Sequence, residues 1–130
     1  MGDELRRLIE RHCRSLKKLA DEVGLHLALI ANGGAVRRAE LDRVLDVAHQ
    51  INGSSGSIGF IEISESAADL EDQLKMLSNL DPEHSADSLI LAAMASFERL
   101  RRLVDNLTPQ QSALFDIDLS RIGSPNKKIG

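Results

Sequence analysis

The chain has no tryptophan, no tyrosine and only three phenylalanines. It therefore lacks the aromatic platforms on which single-stranded nucleic acids stack. A basic excess is missing too: 20 acidic side chains outnumber 16 basic ones, and the net charge of −4 argues against a dedicated nucleic-acid binder. No apolar run reaches about 18 residues, the length at which a membrane span is suspected. The first residues, charged from Asp3 onward, do not read as a secretory signal. No membrane association is expected, and a cytoplasmic location is. The one cysteine, Cys13, has no partner for an internal disulfide and no CxxC or Cys/His pair beside it. His12, His26, His49 and His84 fall at irregular spacings, unlike the regular inward ligands of bundle metal sites, so no metal is expected.

What remains is rich in Leu, Ala, Glu and Arg, good helix formers, and at 130 residues with 42% apolar content it suffices for one domain. Leu5, Leu8, Ile9, Leu16, Leu19, Ala20 and Val23 recur at helical spacing and predict a helix over 3–23, which Gly24 is positioned to end. Residues 25–30 form a short helix or packed connection before the Asn32-Gly33-Gly34 break. A second helix starts near Val36 and follows a seam through Leu41, Val44, Ala48, Ile51, Ser55 and Ile58, widened by Leu45. A third is expected after Ile63, capped by Ser64 or Ser66, with Ala67, Leu70, Leu74 and Leu77 as its stripe. Asp81-Pro82 breaks the chain. Ser85 or Asp87 then opens a fourth helix burying Leu89, Leu91 or Ala92, Ala93, Phe97, Leu100 and Val104, with Thr108-Pro109 at its end.

The fold class expected is all-α: an antiparallel four-helix bundle with an additional N-terminal helix acting as a lid or a full member. The bundle occupies 1–110, with the N-terminal helix at 3–23 and the core at 36–107. A C-terminal extension, 111–130, offers Leu114, Phe115, Ile117 and Ile122 for packing and ends in a tail expected to be mobile.

Residues 53–57, Gly-Ser-Ser-Gly-Ser, look by composition like a linker. The seam argues otherwise, because Ala48, Ile51, Ser55 and Ile58 hold their register straight through the glycines. On a continuous helix His49, Asn52, Gly53 and Gly56 share one strip at the edge of the core. Each glycine inside a helix costs about 0.8–1.0 kcal/mol relative to alanine, which calls for a compensating reason. Close approach supplies one: a Cβ at position 53 would stand between the imidazole and anything reaching for it. Alone, His49 is an ordinary surface histidine. With bare backbone beside it, its neutral ring suits nucleophilic chemistry.

The run Ala48-His49-Gln50-Ile51-Asn52-Gly53-Ser54-Ser55-Gly56-Ser57-Ile58-Gly59-Phe60 resembles the signature of the histidine-containing phosphotransfer (HPt) domain, matching it at His49, Ile51, Gly53, Gly56, Ile58 and Gly59. Ala67-Ala68-Asp69-Leu70-Glu71 resembles that family's Leu-Glu element, and Glu71 lies 22 positions after His49, the family spacing. The resemblance implies that His49 is phosphorylated and that Glu71 bonds its Nδ1, leaving Nε2 free; read without it, Glu71 is a solvated helix charge. Most members carry lysine where this chain has Asn52, and Lys75, one turn after Glu71, is a candidate for the missing cation. Gln50 and Asn52 are candidate donors to the phosphoryl group, and Gly53 is the clearance.

A phosphorelay carrier without ATP or metal site of its own is implied, a monomer whose partners are response-regulator receiver domains. A hybrid histidine kinase is a further candidate partner. Mg²⁺ is expected only in the receiver, so no cofactor is assigned to this chain. A histidine kinase dimerisation domain fits less well, since Gln50 is not acidic and no proline follows until Pro82. The alternative function is a non-phosphorylated helical adaptor that binds receiver or kinase partners, a reading that Asn52 keeps open.

Overall fold

The computed structural model describes residues 2–32, 38–81, 83 and 85–116. Among them are four α-helices and one short 3₁₀ turn: α1 (Gly2–Asn32), α2 (Arg38–Ser57), α3 (Ile61–Ser78), α4 (Asp87–Asp105) and a turn at Pro109–Gln111. None of these helices is long and apolar enough to cross a membrane.

Side-chain pairs between neighbours give the topology. Glu22 and His26 of α1 meet Arg43 and Glu40 of α2 in descending order, so the two helices run antiparallel. Ser78 meets Arg38 and Glu71 meets His49 between α3 and α2. Asp69 and Gln73 of α3 meet Arg99 and Ser96 of α4. Asp21 of α1 meets Arg101 of α4, 2.7 Å apart. Each neighbour pair is antiparallel and the ring closes from α4 back to α1. The stripes predicted from spacing are largely buried at its centre, through Ile9, Leu16, Ala20 and Val23; Leu41, Val44, Ala48 and Ile51; Ala67, Leu70 and Leu74; Ala93, Leu100 and Val104, whereas Leu8, expected in the first stripe, is exposed.

The N-terminal helix is one of the four walls, and a further helix outside the bundle is not present among the described residues. It also does not stop at Gly24. The same buried seam continues through Leu27 and Ile30, and a Cβ on Gly24 would lie 2.9 Å from Cζ of Phe97. The glycine is a notch that seats the Phe97 ring against α1, and its helix cost is offset by that packing. The start of α2 near Val36, the Gly33-Gly34 break and His84 lie outside the described residues.

Helix α3 begins at Ile61, earlier than the serines suggested, and neither Ser64 nor Ser66 caps it. The reason is the tight link before it. Gly59 adopts φ +91°, a conformation open to glycine, and the chain turns from α2 to α3 across Ile58, Gly59 and Phe60, with the Phe60 N–H donating to the Ser55 carbonyl at 2.8 Å. In α4, Leu91 points outward, leaving Ala93, Leu100 and Val104 to carry the core. After Pro109 the chain folds back under the α2–α3 turn. There the Ser112 hydroxyl donates to the Ile58 carbonyl (2.6 Å), the Ala113 N–H to the Gly59 carbonyl (2.9 Å), and Leu114 and Phe115 pack on the core. Arg6 lies 4.7 Å from the Phe115 ring centroid. Ile117, Ile122 and the expected mobile tail are outside the described residues.

Candidate functional site

Helix α2 passes unbroken through Gly53 and Gly56 to Ser57. Its serines are absorbed rather than disruptive. Ser54 and Ser57 turn their hydroxyls back onto the carbonyls of Gln50 and Gly53, four residues earlier, at 2.6 and 2.9 Å. Ser55 is fully buried and bonds Nε2 of His12 on α1 at 3.1 Å.

On this helix His49 stands out from the bundle with 75% of its side chain exposed. Its Nδ1 lies 2.8 Å from Oε2 of Glu71 on α3, and Glu71 itself is only 6% exposed. The carboxyl is a meeting point of donors. Lys75 Nζ is 3.4 Å from the same oxygen, and Asn52 Nδ2 approaches Oε1 at 3.5 Å. Burial alone would raise the Glu71 carboxyl, but the hydrogen bonds from His49, Asn52 and Lys75 outweigh it and hold it below the ordinary glutamate value. An ionised carboxylate only accepts hydrogen bonds, so the proton of a neutral His49 ring resides on Nδ1. Nε2 then carries the lone pair, and among the described residues no hydrogen bond reaches it.

The two glycines beside the ring differ. A Cβ on Gly53 would meet nothing within 4 Å, so one turn from His49 the surface is open ground. A Cβ on Gly56 would lie 3.1 Å from Ser64 Oγ, so this glycine serves the close passage of α2 against α3. The Gln50 side chain is exposed and makes no hydrogen bond among the described residues. Asn52 is turned inward: Ser64 Oγ sits 2.7 Å from its Oδ1 and 3.0 Å from its backbone carbonyl. Lys75 stays at the rim of the site, 58% exposed. The sequence suggests a capping role for Ser64, but its hydroxyl bonds Asn52 instead. Its neighbourhood follows from the register that the His49–Glu71 pair sets, because an antiparallel hairpin aligned at that pair brings Ser64 opposite Gly56.

Second, away from this site, His12 stacks on Phe60 with ring centroids 5.8 Å apart, and burial pushes its imidazole below the ordinary histidine value. Burial likewise pushes the Cys13 thiol above the ordinary cysteine value. Among the described residues no group of three or more His, Cys, Asp or Glu side chains is arranged to hold a metal ion.

A family model described as the Hpt domain matches residues 3–110, which spans all four helices. No curated protein and no solved structure matches the chain.

Proposed function

Since the chain belongs to the Hpt domain family, phosphocarriers of two-component signalling rather than enzymes with active sites of their own, we propose that His49 is its phosphorylated residue. In this reading His49 accepts a phosphoryl group from the aspartate of one response-regulator receiver domain and passes it to another receiver. The observation that carries it is the pairing of an exposed ring with a buried carboxylate through Nδ1, which presents Nε2 outward as the nucleophile.

The Nε2 lone pair attacks phosphorus in line with the aspartyl oxygen. The N–P bond forms, the P–O bond to the aspartyl group breaks, and the aspartate departs as a carboxylate. The ring, still protonated at Nδ1, becomes a cation, and that charge develops directly against Glu71. A bond already 2.8 Å long in the resting state strengthens as the charge appears, with no reorganisation of the helices. Transfer to the second receiver runs the same steps backward.

Gly53 is the clearance through which the receiver's acidic pocket closes on the ring, and Gln50 a donor to the phosphoryl oxygens. Lys75 supplies positive charge at the rim in place of the lysine most members carry at position 52. Mg²⁺ belongs to the receiver, and this chain acts without a cofactor, as a cytoplasmic monomer. A hybrid histidine kinase is a further partner of the same surface.

Incubating the protein with phosphorylated receivers from the same genome tests the proposal. The expected product is acid-labile, base-stable phosphate on the chain that is absent from His49→Gln. Receiver binding without any such label would identify the chain as an adaptor instead.

A further inference from the structure

The position that departs from the family pattern, Asn52, does not point at the exposed nitrogen of His49. Its amide has two oriented ends. The Oδ1 end lies 2.7 Å from the Ser64 hydroxyl, and the Nδ2 end faces Oε1 of Glu71 at 3.5 Å. This orientation is the electrostatically consistent one, because a flipped amide would set its oxygen against a carboxylate held in its ionised form. Ser64 is placed for the task by two features. It sits on the first turns of α3, and it fits against α2 because position 56 has no Cβ, which would otherwise stand 3.1 Å from the hydroxyl oxygen.

We infer that Ser64 is a positioning residue for phosphoryl transfer, holding the Asn52 amide so that it braces the second oxygen of Glu71 and keeps the carboxylate square to Nδ1 of His49. The inference rests on the reading of His49 as the phosphorylated residue. The chain of contacts runs Ser64, Asn52, Glu71, His49, and crosses between α3 and α2 three times. A carboxylate with one oxygen bound and the other loose rotates about its own axis; with both bound it does not. What Asn52 lacks in charge toward the phosphoryl group it returns as rigidity in the residue that sets the ring's tautomer.

The test is a small set of variants read two ways: receiver-to-His49 transfer rate, and the ¹⁵N shifts of the His49 imidazole in mildly alkaline solution, which report the tautomer. Ser64→Ala is expected to slow transfer about fivefold, the worth of one neutral hydrogen bond, and to raise the population of ring protonated at Nε2. Ser64→Thr keeps the hydroxyl and restores both. Gly56→Ala in the parent crowds the hydroxyl and reproduces the Ser64→Ala phenotype. In the Ser64→Ala background it adds nothing further, because the nearest remaining side-chain atom, Cβ, is 3.7 Å away. Additive effects of the two substitutions, or a Ser64→Ala protein with parental tautomer and rate, would overturn the inference. Failure of the phosphocarrier reading is separately visible, since His49 would take no label in the parent, while the tautomer measurement remains informative in unphosphorylated protein.

Discussion

Glu71 is where the residue-scale argument concentrates. Removing its charge while keeping its shape, as in Glu71→Gln, leaves an acceptor for Nδ1 but nothing to offset the ring cation formed on phosphorylation. Transfer to His49 is expected to fall by about tenfold or more, the worth of a charge-assisted hydrogen bond. Lys75→Ala removes a more exposed charge that water partly screens, and its effect is expected to be smaller, up to about fivefold. Quench-flow measurement of transfer for the two variants orders them. A Lys75→Ala protein phosphorylated at the parental rate would remove Lys75 from the site.

Among the elements, glycine is the instructive residue, because the same residue inside three helical contexts has three different reasons. Gly53→Ala adds a Cβ into open space and gains the helix propensity of alanine, so the protein is expected to become more stable by about 0.8–1.0 kcal/mol. Transfer nonetheless slows, because the docking receiver meets the new methyl group. Gly24→Ala has the same propensity gain but drives a methyl into the Phe97 ring between α1 and α4. The overpacking cost of about 1–3 kcal/mol outweighs that gain, so a net loss of up to about 2 kcal/mol is expected. Urea denaturation of both variants measures the opposite signs, and equal shifts would contradict this account of the two positions.

These glycines also mark how far the elements could be read from the chain alone. The α2 seam was legible through its glycines because Ala48, Ile51 and Ser55 keep one face whatever lies between them. The His49–Glu71 pair was legible only through the family resemblance, which implies a bond between residues 22 positions apart, and the bond is present at 2.8 Å. Gly24 was not, since its reason is Phe97, far along the chain, and a local breaker rule has no access to that ring. The start of α3 at Ile61 is hidden from the sequence on similar grounds. Serine is a good cap by propensity, but a glycine at positive φ let the helix begin before Ser64 and freed its hydroxyl for Asn52.

At the scale of the whole molecule, pH acts through groups that join helices. His12 links α1 to Ser55 of α2 and to the turn at Phe60, and its folded-state pKa is lowered by burial. The unfolded chain therefore binds a proton there first. The stability tied to the neutral ring is complete above the ordinary value of 6.5 and is lost as pH falls from there through the lower folded value. Glu71 behaves likewise in a more acidic window: its contribution is present above 4.5 and declines as pH drops through its depressed folded value. In His12→Gln, which keeps a bonding group beside Ser55 but does not titrate, the urea midpoint is expected to vary less between neutral and mildly acid pH than in the parent. An unchanged slope would place the acid sensitivity elsewhere.

The three-residue turn at Ile58, Gly59 and Phe60 has a bearing on biosynthesis. Because it reverses the chain so abruptly, the ring and its counter-charge are brought together by closing a loop of about 20 residues, a modest entropic demand. On a ribosome both partners emerge before the last wall of the bundle does, because Glu71 precedes α4 in the chain. The short loop thus lets the pair meet through contacts local in sequence, whatever the order in which the walls assemble.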